Sequence, residues 1–104
     1  MDETERPERR INKRGPFIKE VEVIGVGMHR CSDLGTGGLY LETVQLFPVG
    51  TLLVLRFKLN DSDAQPIEVQ TRVIYVHVGV GIGLGFIDLN PSDRTRIVKF
   101  MERG

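Results

Sequence analysis

Thr51-Leu-Leu-Val-Leu-Arg-Phe-Lys-Leu59 and Ile67-Glu-Val-Gln-Thr-Arg-Val-Ile-Tyr-Val-His-Val78 decide the fold, because apolar and polar side chains alternate along most of their length. Side chains of an extended chain point to opposite faces in turn. Leu53, Leu55, Phe57 and Leu59 therefore share one face, with Arg56 and Lys58 on the other. In the second stretch Val69, Val73 and Tyr75 alternate with Glu68, Gln70 and Arg72. Both patterns are those of strands with one face buried and one wet. Between them Asn60-Asp-Ser-Asp-Ala-Gln-Pro66 has the composition of a hairpin loop, and Phe47-Pro-Val-Gly50 ahead of the first is a turn. Outward from this centre, β-branched runs between turn residues predict further strands at Phe17–Val26, Gly38–Thr43 and Ile82–Leu89. Several short strands in a chain of 104 residues point to an all-β barrel.

The period changes at the C-terminal end. Asn90-Pro-Ser-Asp93 supplies a helix N-cap, a proline at the first helical position and an acid in the first turn, so a helix runs from there to about Arg103. Ile97, Val98, Phe100 and Met101 cluster on one side of it, which suits a short helix laid against a barrel. Thirteen residues are marginal as an isolated helix.

A chain of 104 residues with 40% apolar content holds one modest core and no second domain. Its single cysteine, Cys31, cannot close an intramolecular disulfide, and no secretory apolar region or membrane-length run is present, so the chain reads as cytosolic. The zero net charge hides an asymmetry. Residues 6 to 19 hold Arg6, Arg9, Arg10, Lys13, Arg14 and Lys19 against Glu8 alone, a net +5, while residues 20 to 104 carry 8 basic and 10 acidic side chains. Residues 1–14 have almost no apolar side chains with which to offset ordering entropy, so they are expected to form a flexible basic arm on a domain spanning 15–104. A basic arm on a nearly neutral body suits a compact anionic ligand or an acidic partner better than a nucleic-acid polymer. On charge alone a solvated tail serves equally well.

Two short motifs carry a family resemblance. Arg10-Ile-Asn-Lys-Arg14 is an RxxxR sequence in the basic arm, and Asp33-Leu-Gly-Thr-Gly-Gly38 begins 19 residues after its last arginine. In this order, followed by Gly38-Leu-Tyr-Leu-Glu-Thr43, a hairpin, Gly83-Leu-Gly-Phe-Ile-Asp-Leu89 and a closing helix, the sequence resembles the PilZ domain over nearly its whole length. The resemblance implies a six-stranded antiparallel barrel with a C-terminal helix, and a cyclic di-GMP receptor in place of an enzyme, with no cofactor and a protein partner to receive the signal. It implies a ligand site of Arg9, Arg10, Arg14, Asp33, Gly35 and Gly38. The residue chemistry agrees with it. Arg10 and Arg14 offer forks that match guanine O6 and N7, Arg9 a phosphate contact, and Asp33 acceptors for the N1 and N2 donors of guanine. Gly35, Gly37 and Gly38 are expected to let the chain turn sharply and bring backbone amides close to a phosphate. The departure is at Gly35, where similar domains carry serine. Loss of one neutral hydrogen bond, about 0.5–1.5 kcal/mol, predicts weakened and not abolished binding. The alternative is a degenerate PilZ-like module of motility or pilus assembly that binds only protein.

Other chemistries find less support. His29, Cys31 and Asp33 alternate and would share one strand face, but three residues on one strand converge poorly on a metal. Gly79-Val-Gly-Ile-Gly-Leu-Gly85 lacks the Lys-Ser/Thr of a phosphate loop, and tight hairpin geometry explains it better. Of seven aromatic residues, Phe57, Tyr75, Phe86 and Phe100 read as core, which leaves few platforms for single-stranded nucleic acid. Ile74 and Val76 interrupt the polar face of their strand, marking either a partner surface or the floor beneath the helix.

Overall fold

The computed structural model describes residues 14–103. Six strands, β1 (Arg14–Val23), β2 (Gly27–Gly35), β3 (Gly38–Glu42), β4 (Leu52–Phe57), β5 (Ile67–His77) and β6 (Gly81–Ile87), precede one helix, α1 (Pro91–Arg103). The strands close into an antiparallel barrel in the order β1-β2-β3-β6-β5-β4. The last seam is short, Glu22 opposite Arg56 and Val23 opposite Leu55.

The alternation predicted for Thr51–Leu59 is observed, since Leu53, Leu55, Phe57 and Leu59 are all buried. Every strand contributes to the core, including Val21 and Val23 of β1, Cys31 and Leu34 of β2, Leu39 and Leu41 of β3, and Ile82 and Leu84 of β6. Asn90 caps α1 as expected: its Oδ1 accepts from the Ser92 amide at 2.8 Å and its carbonyl accepts from the Arg94 amide. The helix lays Ile97, fully buried, and Phe100 over one end of the barrel, where Phe17 meets Phe100 edge-on at 5.5 Å and Phe57 at 6.2 Å. Arg96 ties this helix to the β4–β5 loop through the Gln65 carbonyl at 2.7 Å and the Asp63 carboxylate at 3.4 Å. The connections therefore sort into two groups. The 36–37 turn, the 58–66 loop and α1 form a helix end, and residues 24–26, 43–51 and 78–80 form the opposite, hairpin end.

Several expectations need correction. The run Phe17–Val26 is not one strand, because β1 starts earlier, at Arg14, and the chain turns at 24–26 around Gly25, whose φ of 85° is left-handed. Gly27–Gly35 is a strand that the five-strand reading missed. Arg14 thus opens β1 instead of closing the arm, and residues 1–13, which hold the rest of the expected arm, lie outside the described residues. Asp33-Leu-Gly35 ends β2, so the sharp bend is confined to Thr36 and Gly37.

Candidate functional site

Three breaks in register shape the outer face of the barrel, the first on β1 between Pro16 and Lys19. On β2, Cys31 pairs with Leu41 and Asp33 with Tyr40, which leaves Ser32 as an extra residue. On β5, Val73 pairs with Leu84 and Tyr75 with Gly83, which leaves Ile74 extra. An extra residue reverses the facing of everything beyond it. Cys31 consequently points into the core while Asp33 points out, so His29, Cys31 and Asp33 do not share the face that simple alternation predicts. Tyr75 likewise leaves the core expected of it and is 42% exposed, whereas Val76 turns inward against the core.

The bulges converge on one row. Pro16, Asp33, Tyr40, Gly83 and Tyr75 are successive register partners across β1, β2, β3, β6 and β5. Next to that row Tyr40, Tyr75 and His77 form a triangle of rings with centroids 5.0–6.2 Å apart. Tyr40 Oη lies 3.1 Å from His77 Nδ1. Burial, reinforced by Tyr75 and Glu42, pushes the Tyr40 phenol above its ordinary pKa. The rings rest on bare backbone. A Cβ at Gly83 would sit 2.3 Å from the Tyr75 ring, and one at Gly81 2.6 Å from the Tyr40 ring. The glycines of β6 are therefore explained by close approach and not by the tight hairpin alone, since only Gly79 of the 79–85 run has a left-handed φ.

The sequence-predicted site residues fall beside this row. Arg14 is the register partner of Gly35, and Gly38 is the register partner of Gly85. Arg9 and Arg10 lie outside the described residues. Gly35, Gly37 and Gly38 do not carry left-handed backbone angles; Gly35 is extended strand. Gly38 is required for another reason, because a Cβ there would lie 1.9 Å from the Leu84 carbonyl oxygen. Asp33 and Tyr40 thus bring a carboxylate acceptor and an aromatic ring together, a combination suited to a planar base with donor groups on its edge, with buried Gly35 beside them. Tyr40 and His77 were invisible to sequence reasoning, because their meeting depends on the β5 bulge. Among the described residues no cluster of three or more His, Cys, Asp or Glu side chains is placed to hold a metal ion. No helix there is long and apolar enough to cross a membrane.

Comparison with known proteins bears on this arrangement. The sequence profile described as "PilZ domain" matches residues 6–103. The chain belongs to the PilZ domain family. PilZ domains are binding domains, and the six-stranded barrel with a C-terminal helix is the architecture that the resemblance implies. A solved structure, the Bacillus subtilis inhibitor of motility (MotI/DgrA), superposes with a TM-score of 0.79 at 16% identity. That match covers 91% of this PilZ chain and 50% of the other, so the chain spans about half the length of that protein. No curated protein matches the sequence.

Proposed function

We propose that this PilZ domain binds cyclic di-GMP on its outer β1–β2–β3 face and passes the signal to a protein partner by holding its basic arm on that face. The register supports the reading: RxxxR and the Asp33–Gly38 motif are far apart in sequence, yet Arg14 pairs with Gly35 and Pro16 with Asp33. In this account Arg10 and Arg14 fork onto guanine O6 and N7, Arg9 meets a phosphate, and Asp33 accepts from guanine N1 and N2. Gly35 and Gly38 place backbone without side chains beside these groups. The Tyr40 ring, in register with Asp33, offers a π face to a base, a contact worth about 1–3 kcal/mol where bases stack on aromatic side chains. The arm's charge draws the ligand, and the bound ligand in turn retains the arm, changing the surface that a partner meets.

Gly35 favours a second reading, a module that binds protein alone, because the serine hydroxyl of similar domains is missing there. The similarity to a protein titled as an inhibitor of motility is compatible with either reading. Amide chemical-shift mapping separates them. Added cyclic di-GMP should move Asp33, Gly35, Tyr40 and Gly83 together; a spectrum unchanged at millimolar nucleotide would leave the protein-only module.

A further inference from the structure

We propose that the hairpin end of the barrel, opposite α1, is a self-association face on which a second copy of this chain docks about a two-fold axis. The three connections there are Ile24-Gly-Val26, Val78-Gly-Val80 and residues 43–51. The two hairpins share one design. Val26 donates to the Val23 carbonyl and Val80 to the His77 carbonyl, and the central glycines have φ of 85° and 77°. Glycine alone satisfies that geometry, so nothing in the turn requires apolar neighbours, and turn tips ordinarily carry polar residues. Here they carry Ile24, Val26, Val78 and Val80, all exposed, with Val78 at 78%. The third connection adds Val44 at 80%, Leu46 at 69% and Val49, and Met28 and Leu52 extend the patch down the strands. Phe47 is buried and closes the core beneath, so the fold does not need these side chains inward.

Charge and area together select the occupant. Residues 23–29, 43–55 and 73–87 contain no Asp, Glu, Lys or Arg. A two-fold contact sets a surface against its own copy, so any charge near the axis would meet its like; a charge-free patch avoids that penalty. Of the charges bordering it, Arg30 pairs with Glu42 at 3.4 Å and Arg56 with Glu22 at 3.3 Å, which leaves Arg72, beside Leu52, as a single cation without an ion pair among the described residues. This border provides no cationic collar, which argues against a surface of anionic lipid. The nine residues together expose about 900 Å², backbone included, beyond the roughly 300–600 Å² of the largest apolar patch on an ordinary monomer and close to the ~800 Å² per partner of a standard interface.

Sedimentation equilibrium of the full chain at about 100 µM, where a micromolar contact is nearly saturated, reads the proposal directly. The expected mass is twice the 11.7 kDa of the chain, falling to 11.7 kDa for Leu46→Asp/Val78→Asp with an unchanged circular dichroism spectrum. Should that variant misfold, Val44→Lys, on the irregular connection, should give the same loss. A wild-type mass of 11.7 kDa, or variants that associate as the wild type does, would overturn it. So would a monomeric wild type that co-pellets with phosphatidylcholine vesicles while Leu46→Asp/Val78→Asp does not, an outcome that assigns the face to a membrane.

Discussion

Gly38→Ala isolates what the motif glycine does for the barrel before any ligand arrives. The added Cβ would lie 1.9 Å from the Leu84 oxygen and 2.9 Å from the Leu84 carbonyl carbon, both backbone atoms that no rotamer change can move. To restore a contact near 3.0 Å, β3 and β6 must part by about 1 Å where Gly38 pairs with Gly85. The neighbouring bond from the Phe86 amide to the Gly37 carbonyl, 2.9 Å long, would stretch beyond useful range. Loss of about two such bonds at ~0.5–1.5 kcal/mol each, with ~1–3 kcal/mol of overpacking, gives a destabilisation of about 3 kcal/mol. At ~4–8 °C per kcal/mol for a domain near this size, Tm should fall by about 12–24 °C. Gly15→Ala is the control, because its Cβ would meet only Met101 Cε at 4.0 Å. Thermal unfolding of both variants decides the matter. A Gly38→Ala midpoint within about 3 °C of the parent would refute the steric account and leave the ligand as the sole reason for glycine there.

Replacing Arg14 with Ala should weaken cyclic di-GMP binding by about 5- to 150-fold, the loss of one guanine contact of about 1–3 kcal/mol, and Lys should rescue poorly; full rescue by Lys in a titration would point to bulk electrostatics. Gly35→Ser meets no backbone-angle strain, since Gly35 is extended strand, and should tighten the nucleotide by a few-fold to about tenfold, measured as paired calorimetric titrations with thermal stability as the check on packing at this buried position. Asp63 is held below its ordinary pKa of 3.8 first by the Asn60 amide, with Arg96 adding to it. A depressed carboxyl contributes stability that is present above its unfolded pKa and lost as pH falls through the folded one, so the Tm advantage of the parent over Asp63→Asn should be full at neutral pH and shrink as the pH falls below 3.8. An advantage unchanged in acid would remove Asp63 from the link between the β4–β5 loop and α1.

What was legible in the sequence follows the range of the forces involved. β4 and the first half of β5 were readable because each strand's own alternation matches its burial, and α1 because Asn90 and Pro91 act on the next turn of chain alone. β2 was not, because its buried residues Cys31 and Leu34 are three apart, a spacing that makes sense only once the bulge at Ser32 is known. Bulges belong to a pair of strands, and neither β2 nor β5 shows its own in isolation. The same limit hid the outward turn of Tyr75 and hence the ring triangle with Tyr40 and His77. Of the candidate site, Arg14, Asp33, Gly35 and Gly38 were found through motifs and do fall near one another in the register. The sharp-turn part of the reason given for the glycines did not survive, because Gly38 answers to the Leu84 backbone and not to a left-handed turn.

Calorimetric titration of the full chain with cyclic di-GMP and, in parallel, cyclic di-AMP tests the central claim most directly. On the proposed reading guanine would present its O6 and N7 acceptors to Arg10 and Arg14 and its N1 and N2 donors to Asp33, a pattern that adenine lacks. The account predicts saturable binding of cyclic di-GMP, at least tenfold weaker binding of cyclic di-AMP, and loss of that preference in Asp33→Ala. A folded protein that takes up neither nucleotide, or that binds both alike, would contradict it.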